Sequence, residues 1–329
     1  MSPTECCQLH CHSTSSFFDG LAPVDELVER AAALGQPGIA LTDHGNIFGA
    51  AKFFKACKKH GIKGVIGMEA YEAVPHAWDP ERDKAIMDRK FDEGPRYFHL
   101  TMWAQDLQGW QNLCGLHSDS FRLHHKPKNQ PLVDRAMLEK RSEGLMIGLG
   151  CMASRTNRAM AEQGPDAAYE AAKWYVEVFG DRVYAEVMGN LPEQMALIND
   201  QRKLATKLGV PVIATNDVHY VTQEDGRENG PHHALVQARA FKKKEKEEQS
   251  DDKSDAGYGK WYGTDEFYLK SRAEMLTTGG INAAEIDRTL EVLDRVTFDF
   301  YSIAEPAPPV APVPVPGEDP EFDQFLAMA

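Results

Sequence analysis

The chain has 329 residues, of which 42% are hydrophobic, 26% charged and 9% aromatic. This composition is typical of a folded, soluble protein and excludes wholesale disorder and collagen-like structure. The 36 Lys and Arg against 50 Asp and Glu give a net charge of −14. That balance excludes a chain-wide basic surface for nucleic acid, so we expect any DNA contact to be local or supplied by a partner.

Short apolar runs alternate with amphipathic segments up to about residue 220, which predicts repeated β/α units. The clearest helices are 23–34 and 192–208, and the second is bounded by Pro192 and Gly209. Their predicted inward residues are Val24, Leu27, Val28, Ala31 and Leu34 in the first, and Met195, Ile198, Ala205 and Leu208 in the second. The predicted strands are GIALT (38–42), GVIGM (64–68), YFHLTMWA (97–104), GLMIGLG (144–150), RVYAEV (182–187) and PVIAT (211–215).

After about residue 240 the sequence no longer alternates between short apolar runs and amphipathic segments. Residues 241–260 are dense in both charges, which predicts a solvated, mobile insertion. The run 261–271 is strand-like, and 283–298 is predicted as one helix with inward-facing Ile286, Leu290, Leu293 and Val296. Residues 305–321 are proline-rich and predict a linker. The final residues, 322–329, begin an element that stops, so we expect a chain cut from, or normally joined to, something larger.

Targeting signals and cysteine usage predict a cytoplasmic location. The N-terminus lacks a secretory signal pattern, and no apolar run reaches the ~18 residues that span a bilayer. The six cysteines are therefore expected to be reduced thiols, and no membrane contact is expected.

Metal-type side chains recur where the predicted strands end. His10 and His12 alternate along an extended segment, which puts both imidazoles on one side. The others are Asp43 and His44 after GIALT, Glu69 after GVIGM, His99 inside YFHLTMWA, Cys151 after GLMIGLG, and Asp217 and His219 after PVIAT. In a β/α barrel the carboxyl ends of the strands converge on the face that holds the active site. A helix cap at Asp43 or a small buried thiol at Cys151 explains each residue singly, but not the repetition.

These ligand types indicate the class of metal. Histidines with carboxylates and at most one thiolate suit Zn²⁺, Mn²⁺ or Fe²⁺, and they suit Ca²⁺, Mg²⁺ alone or an iron–sulfur cluster poorly. The set is too large for one ion. We therefore expect two or three divalent transition metals, an arrangement that activates water against a phosphate ester.

The motifs together resemble the PHP (polymerase and histidinol phosphatase) domain, in the version found at the N-terminus of the bacterial DNA polymerase III alpha subunit. The likeness runs in order from about residue 7 to residue 300. It is carried by LHCHS (9–13), FFDG (17–20), GIALTDHGNIFGA (38–50), GVIGMEAY (64–71), HLTMWA (99–104), LEKRSEGLMIGLGCMA (138–153) and IATNDVHY (213–220), and later by TDEFYLKSRAEM (264–275).

The resemblance implies a distorted TIM-like β/α barrel over residues 1–240 and 261–304, with a metal site at the carboxyl ends of its strands. The implied ligands are His10, His12, Asp19, His44, Glu69, His99, Cys151, Asp217 and His219. Among these, Glu69, Asp217 and His219 are the expected catalytic residues.

The implied activity is 3′→5′ exonucleolytic proofreading in DNA replication, with the DNA 3′ end and the polymerase body or other replisome subunits as partners. The carboxylates of a polymerase palm are not expected in this chain. Two alternatives stay open: a phosphomonoesterase of the histidinol phosphatase kind, and a non-catalytic, metal-stabilised scaffold.

Other polar residues receive a structural interpretation. Capping or strand-end hydrogen bonding is favoured for Asp43, Glu186 and Asn216, although each could lie near the site. The basic run 121–128 is predicted as a solvated loop that could touch a phosphate backbone. Surface positions are predicted for the remaining histidines His60, His76, His117, His232 and His233.

Overall fold

The computed structural model describes residues 5–74, 97–123, 130–238 and 261–302. The predictions for 241–260, 305–321, 322–329 and His76, and most of 121–128, lie outside these residues. The chain divides into two compact units, Met1–Phe298 and Asp299–Ala329. In the second unit, Phe300–Ser302 forms a 3₁₀ turn. The first unit contains the elements described below.

The described residues form a seven-stranded mixed sheet. Its path runs β1-β2-β3-β5-β6-β7, and β4 pairs with β2 off this path. The strands are β1 (Gly38–Leu41), β2 (Lys63–Ala73), β3 (Tyr97–Ala104), β4 (Leu132–Val133), β5 (Leu145–Gly148), β6 (Val183–Val187) and β7 (Val212–Ala214). All six predicted strands are therefore present, and the second is longer than predicted.

Strand β3 runs antiparallel to both β2 and β5, whereas the other paired strands are parallel. Its amino end, which carries His99, therefore lies at the edge where the carboxyl ends of its neighbours meet. The register places His99 beside Tyr71 and Thr101 beside Glu69. A histidine near the beginning of a strand thus reaches the same edge as residues that follow the other strands.

The N-terminal segment joins the two edges of this curled sheet. On one side the backbone N–H of Ala40 donates to the Gln8 carbonyl at 2.8 Å. On the other side the N–H of Val218, beyond β7, donates to the His10 carbonyl at 2.9 Å, and the N–H of His12 donates to the Val218 carbonyl at 2.7 Å. The predicted distorted β/α barrel is confirmed, and its first segment completes the ring.

Helices flank the sheet, and every residue of β1, β5 and β6 is buried, as expected for strands covered on both faces. Among the described residues no helix is long and apolar enough to cross a membrane. All six cysteines are free thiols. The helices are α1 (Val24–Ala33), α2 (Ala50–His60), α3 (Leu107–Leu123), α4 (Arg135–Lys140), α5 (Arg155–Gln163), α6 (Pro165–Phe179), α7 (Pro192–Leu208), α8 (231–238), α9 (Arg272–Thr277), α10 (Ala283–Asp287) and α11 (Thr289–Arg295).

Helix α7 begins and ends as predicted, and Gly209 takes the left-handed conformation that closes it. One of its predicted inward residues is wrong. Met195 is 40% exposed, because the first turn of the helix lies against the loop at Gly279 and not against the sheet. Leu204 is buried in its place.

The C-terminal part of the barrel unit departs from prediction in two places. The run 261–271 is extended but makes only the single bridge between Tyr220 and Tyr268, because the Asn216 side chain takes backbone carbonyls that a neighbouring strand would use. The helix predicted over 283–298 is two short helices, α10 and α11. The Thr289 hydroxyl donates to the Ile286 carbonyl at 2.6 Å where they meet.

Candidate metal centre

The nine predicted ligand side chains lie together at the carboxyl edge of the sheet. Each of them contacts at least one other through a nitrogen, oxygen or sulfur atom at 3.6 Å or less. The Cys151 Sγ atom is 3.6 Å from His99 Nδ1 and is the outermost of these contacts. Residues from seven separate stretches of the chain thus form one cluster.

Glu69 occupies the centre of the cluster and is 1% exposed. Its Oε2 atom is 2.7 Å from His44 Nδ1 and 3.6 Å from His12 Nε2. Its Oε1 atom is 3.0 Å from His99 Nδ1 and 3.5 Å from His10 Nε2. One carboxylate therefore faces four imidazoles, as a bridging ligand would.

Asp217 forms the opposite wall from a turn with unusual backbone geometry. Its φ angle is +48°, in the left-handed region that Asp tolerates better than most residues. Its Oδ1 atom is 3.2 Å from His12 Nε2, 3.4 Å from His10 Nε2 and 3.6 Å from His219 Nδ1. The turn thus aims the carboxylate into the cluster.

Asp19 closes the outer side from the loop after His12. Its Oδ1 atom is 3.4 Å from His44 Nε2, and its Oδ2 atom is 3.6 Å from His219 Nε2. The hydroxyl of Tyr262 donates to the same Oδ2 atom at 3.1 Å. Asp19 thus lies between two imidazoles and holds a phenol on its outer oxygen.

A second layer of side chains orients the two innermost imidazoles. Glu186 Oε2 lies 3.1 Å from His10 Nδ1 and accepts from the Thr215 hydroxyl at 2.8 Å. The Ser16 hydroxyl lies 3.1 Å from His12 Nδ1 and donates to Asp43 at 2.9 Å. These contacts place the Nδ1 protons outside the cluster and turn each Nε2 atom inward.

The favoured interpretation of Asp43 and Glu186 as ordinary capping or strand-end residues is therefore wrong. Glu186 contacts His10 directly, and Asp43 reaches His12 through Ser16. Asn216 does behave as favoured, because its amide donates to the carbonyls of Glu266 and Tyr268.

The donor set fits divalent cations. Buried polar atoms normally have hydrogen-bond partners, and each exception needs a physical reason. Three groups of side chains place ligand atoms within 4.8 Å of one another: His12, His44 and His219; His10, His12 and Glu69; and His44, Glu69 and His99. The cluster's buried atoms without a hydrogen-bond partner are His10 Nε2, His12 Nε2, His44 Nδ1, Asp19 Oδ1, Asp217 Oδ1 and both oxygens of Glu69.

The protonation states of Glu69 and His12 also suit the binding of divalent cations. Burial would raise the pKa of Glu69, but His99, His10 and His44 outweigh it and hold that pKa well below its usual range. Burial, with help from the neighbouring His44 and His219, lowers the pKa of His12 to about 3. Glu69 is therefore ionised and His12 neutral at pH 7. Burial also raises the pKa of Cys151.

A cleft of about 250 Å³ opens over the cluster. His10 and His12 lie beneath it and are fully buried. None of the described lining residues is Lys or Arg. The lining consists of Asp19, His44, Glu69, His99, Cys151, Met152, Leu191, Gln194, Asp217, His219, Tyr262 and Phe267.

Sequence analysis missed two residues that contact the cluster, Tyr262 and His232. The surface position predicted for His232 is wrong: it is 1% exposed, and its Nε2 atom is 2.9 Å from the Asp19 carbonyl. His233 is buried too, where the backbone N–H of Asn229 donates to its Nδ1 atom. His60 and His117 are half-buried.

Comparison with known proteins agrees with the motifs. The chain is 30% identical over 321 residues to the DNA polymerase III subunit alpha of Borreliella burgdorferi, an alignment that covers 97% of this chain and 26% of that one. It is 32% identical over 301 residues to the same subunit of Thermus aquaticus, covering 89% and 23%. The chain therefore spans about a quarter of the length of the curated relatives it matches.

Among solved structures, histidinol phosphate phosphatase from Lactococcus lactis, complexed with Zn, L-histidinol and phosphate, aligns with a TM-score of 0.33 at 15% identity. That alignment covers 73% of this chain and 93% of the other. The family model of the PHP domain matches residues 8–190, which is more than half of the chain. The chain belongs to the PHP domain family.

Proposed function

We propose that the chain is a metal-dependent phosphodiesterase that removes nucleotides from the 3′ end of DNA within a replicative polymerase. The observation that carries this proposal is the unbroken ligand set: all nine positions hold a metal-binding side chain, and seven buried ligand atoms lack any hydrogen-bond partner. A non-catalytic scaffold would retain its stability with some of these ligands replaced.

The ligand groups around Glu69, Asp217 and Asp19 would hold two or three ions of Zn²⁺, Mn²⁺ or Fe²⁺. Such ions supply a water molecule of lowered pKa and neutralise charge on a phosphate ester. Glu69 and Asp217 each face at least three imidazoles, and these two carboxylates would hold the cations together with those imidazoles. We assign the catalytic roles to these two carboxylates and to His219.

The cleft favours a substrate that other parts of a polymerase help to hold. Its described lining carries no Lys or Arg, and the chain has a net charge of −14. Phosphate groups away from the reacting ester therefore gain little attraction here. The relatives are polymerase subunits about four times as long as this chain, and we propose that the polymerase body and other replisome subunits supply the DNA grip.

The test measures two substrates side by side. The chain is incubated with a 5′-labelled single-stranded oligonucleotide, and separately with histidinol phosphate, each with Mn²⁺ or Zn²⁺ and with or without a chelator. We expect shortening of the DNA that the chelator abolishes. Phosphate release from histidinol phosphate alone would establish the monoesterase instead. Inactivity on both substrates with metal bound, at oligonucleotide concentrations high enough to offset weak DNA binding, would favour the scaffold.

A variant links the activity to the cluster. Asp217→Asn keeps the shape of the side chain but removes the charge that bridges cations, so we expect DNA shortening to slow by about 100-fold or more with the fold retained. The control is Asp166→Asn, an almost fully exposed aspartate on α6, which should retain the full rate. An unchanged rate in folded Asp217→Asn would remove Asp217 from the catalytic set.

A further inference from the structure

Tyr262 is a cleft-lining residue that none of the family motifs contains. Its hydroxyl donates to Asp19 Oδ2 at 3.1 Å. Its ring lies edge-on to three neighbours, with centroid distances of 4.8 Å to His232, 5.3 Å to Phe267 and 5.8 Å to His219. The three ring contacts therefore fix the position of the Tyr262 side chain, and its hydroxyl contacts the carboxylate of a proposed metal ligand.

The segment that carries Tyr262, residues 261–268, is anchored on both sides of it. Before Tyr262, the indole N–H of Trp261 donates to the Gly226 carbonyl at 2.9 Å. After it, the backbone N–H of His219 donates to the Phe267 carbonyl at 2.8 Å, and the Asn216 amide donates to the Tyr268 carbonyl at 2.6 Å. The second anchor ties this segment directly to the turn that bears Asp217 and His219.

Asp19 needs such a contact more than Glu69 does. Glu69 lies on a strand, where the sheet fixes its backbone, whereas Asp19 lies on a loop and its side chain is 21% exposed. The phenol hydroxyl occupies one side of Oδ2 and fixes the plane of the carboxylate. Oδ1 is then left buried, without a hydrogen-bond partner, 3.4 Å from His44 Nε2. This leaves Oδ1 free to act as a ligand.

We propose that Tyr262 is a positioning residue that holds the Asp19 carboxylate between His44 and His219 for a divalent cation. It sets the affinity for the cation on that side of the cluster and leaves the side formed by His10, His12 and Glu69 unchanged. The inference rests on the metal centre of the proposed function. Loss of a hydrogen bond that orients a metal ligand typically costs 10- to 100-fold in metal affinity, and we expect a loss in that range for one ion.

The test is Tyr262→Phe, which keeps the three ring contacts and removes only the hydroxyl. The full chain is loaded with Zn²⁺ or Co²⁺ and equilibrated against graded concentrations of a competing chelator. Bound metal is counted by elemental analysis, and the Co²⁺ absorption spectrum reports the ligand geometry. We expect one ion to be lost at 10- to 100-fold lower chelator concentration than in the wild type, with the remaining ions unchanged.

Two controls separate the hydroxyl from the segment. Trp261→Phe removes an anchor of the same segment without touching Asp19, and Tyr184→Phe removes a phenol that accepts a hydrogen bond from Arg295 elsewhere in the barrel. Both should retain all ions at wild-type affinity. Equal affinities in Tyr262→Phe and the wild type would overturn the proposal, as would an equal loss in Trp261→Phe.

A double-variant measurement shows whether Tyr262 acts through Asp19. In an Asp19→Asn background, Tyr262→Phe should cause no further loss of metal affinity, and an additive loss would overturn the proposal. These readouts do not need DNA cleavage. A chain that binds the ions but leaves DNA intact would refute the proposed exonuclease and not the role of Tyr262.

Discussion

Two buried carboxylates on the same strand have opposite surroundings. Glu69 and Glu72 both lie on β2 and are 1% and 0% exposed. Their odd spacing sends the side chains to opposite faces of the sheet. Glu72 accepts from Arg155 Nε at 2.9 Å and from the Tyr175 hydroxyl, so both of its oxygens are satisfied. Both oxygens of Glu69 lack a hydrogen-bond partner.

The difference separates a structural carboxylate from a functional one. Glu72, Arg155 and Tyr175 form a closed network in which the chain itself supplies every partner, and Arg155 also donates to the Ala73 carbonyl at 2.7 Å. Glu69 faces four imidazoles, and both of its oxygens would be satisfied by the cations that the proposed function places there. The two positions are equally buried, so the missing hydrogen-bond partners are what distinguishes Glu69 from Glu72.

Glu69→Gln is the strongest test of the difference between Glu69 and Glu72. The amide keeps the volume but loses the charge that faces four imidazoles, so we expect phosphodiesterase activity and metal content to fall, activity by about 100-fold or more. Elemental analysis, the oligonucleotide assay and circular dichroism measure the three quantities. A folded Glu69→Gln protein with its metal and rate intact would show that Glu69 is as structural as Glu72.

The same change at the other carboxylate should affect stability and leave the chemistry unchanged. Glu72→Gln leaves the largely buried Arg155 guanidinium without its counter-charge, and we expect a loss of about 3 kcal/mol in the free energy of unfolding. Urea denaturation measures it, and metal content per folded molecule should equal that of the wild type. A stable Glu72→Gln protein that has lost metal would break the distinction.

Removal of metal should destabilise the native state through the loss of cations held around Glu69, independently of the network around Glu72. An ion present at 100 times its dissociation constant stabilises the native state by about 2.7 kcal/mol if it does not bind the unfolded chain. Chelation should therefore lower the melting temperature of the wild type and of Glu72→Gln by similar amounts. Glu69→Gln should respond far less, and a full response there would contradict its role as a ligand.

The smallest expected effect concerns two tyrosines that both donate to a carboxylate. Tyr175→Phe leaves one oxygen of Glu72 unpaired, and we expect a loss of about 2 kcal/mol in unfolding free energy with metal affinity unchanged. Tyr262→Phe should instead lower the metal affinity and leave the unfolding free energy of the protein nearly unchanged. If Tyr175→Phe lowers metal affinity as well, the two faces of β2 are coupled.

The ligands could be predicted from sequence because they follow strand ends, and strand ends are visible as the boundaries of apolar runs. His44, Glu69 and Asp217 each follow such a run within a few residues. His99 reaches the same edge for a different reason, the reversed direction of β3, which no periodicity in the sequence reveals. His99 is grouped with the strand-end residues although it lies inside its apolar run, and the motif HLTMWA (99–104) gives a second reason to include it.

The contacts of Tyr262 and His232 with Asp19 could not be predicted, because they join distant segments of the chain. Tyr262 meets Asp19 across 243 positions of sequence, and His232 meets it across 213. Neither belongs to an amphipathic pattern that predicts its partner. The same limit explains Met195, since helical periodicity gives the apolar face of α7 but not where the sheet beneath it ends.

The way the barrel closes has a consequence for the order in which the protein is assembled. His10 and His12 are held by Val218, a pairing of residues about 200 positions apart in the chain. During translation these two histidines emerge from the ribosome before Val218, Asp217 and His219, so the cluster stays incomplete until residue 219 has followed them. Contacts at such long sequence separation carry a high loop-closure entropy and form late. The metal centre is therefore expected to be among the last parts of the molecule to mature, after most of the β/α units have folded.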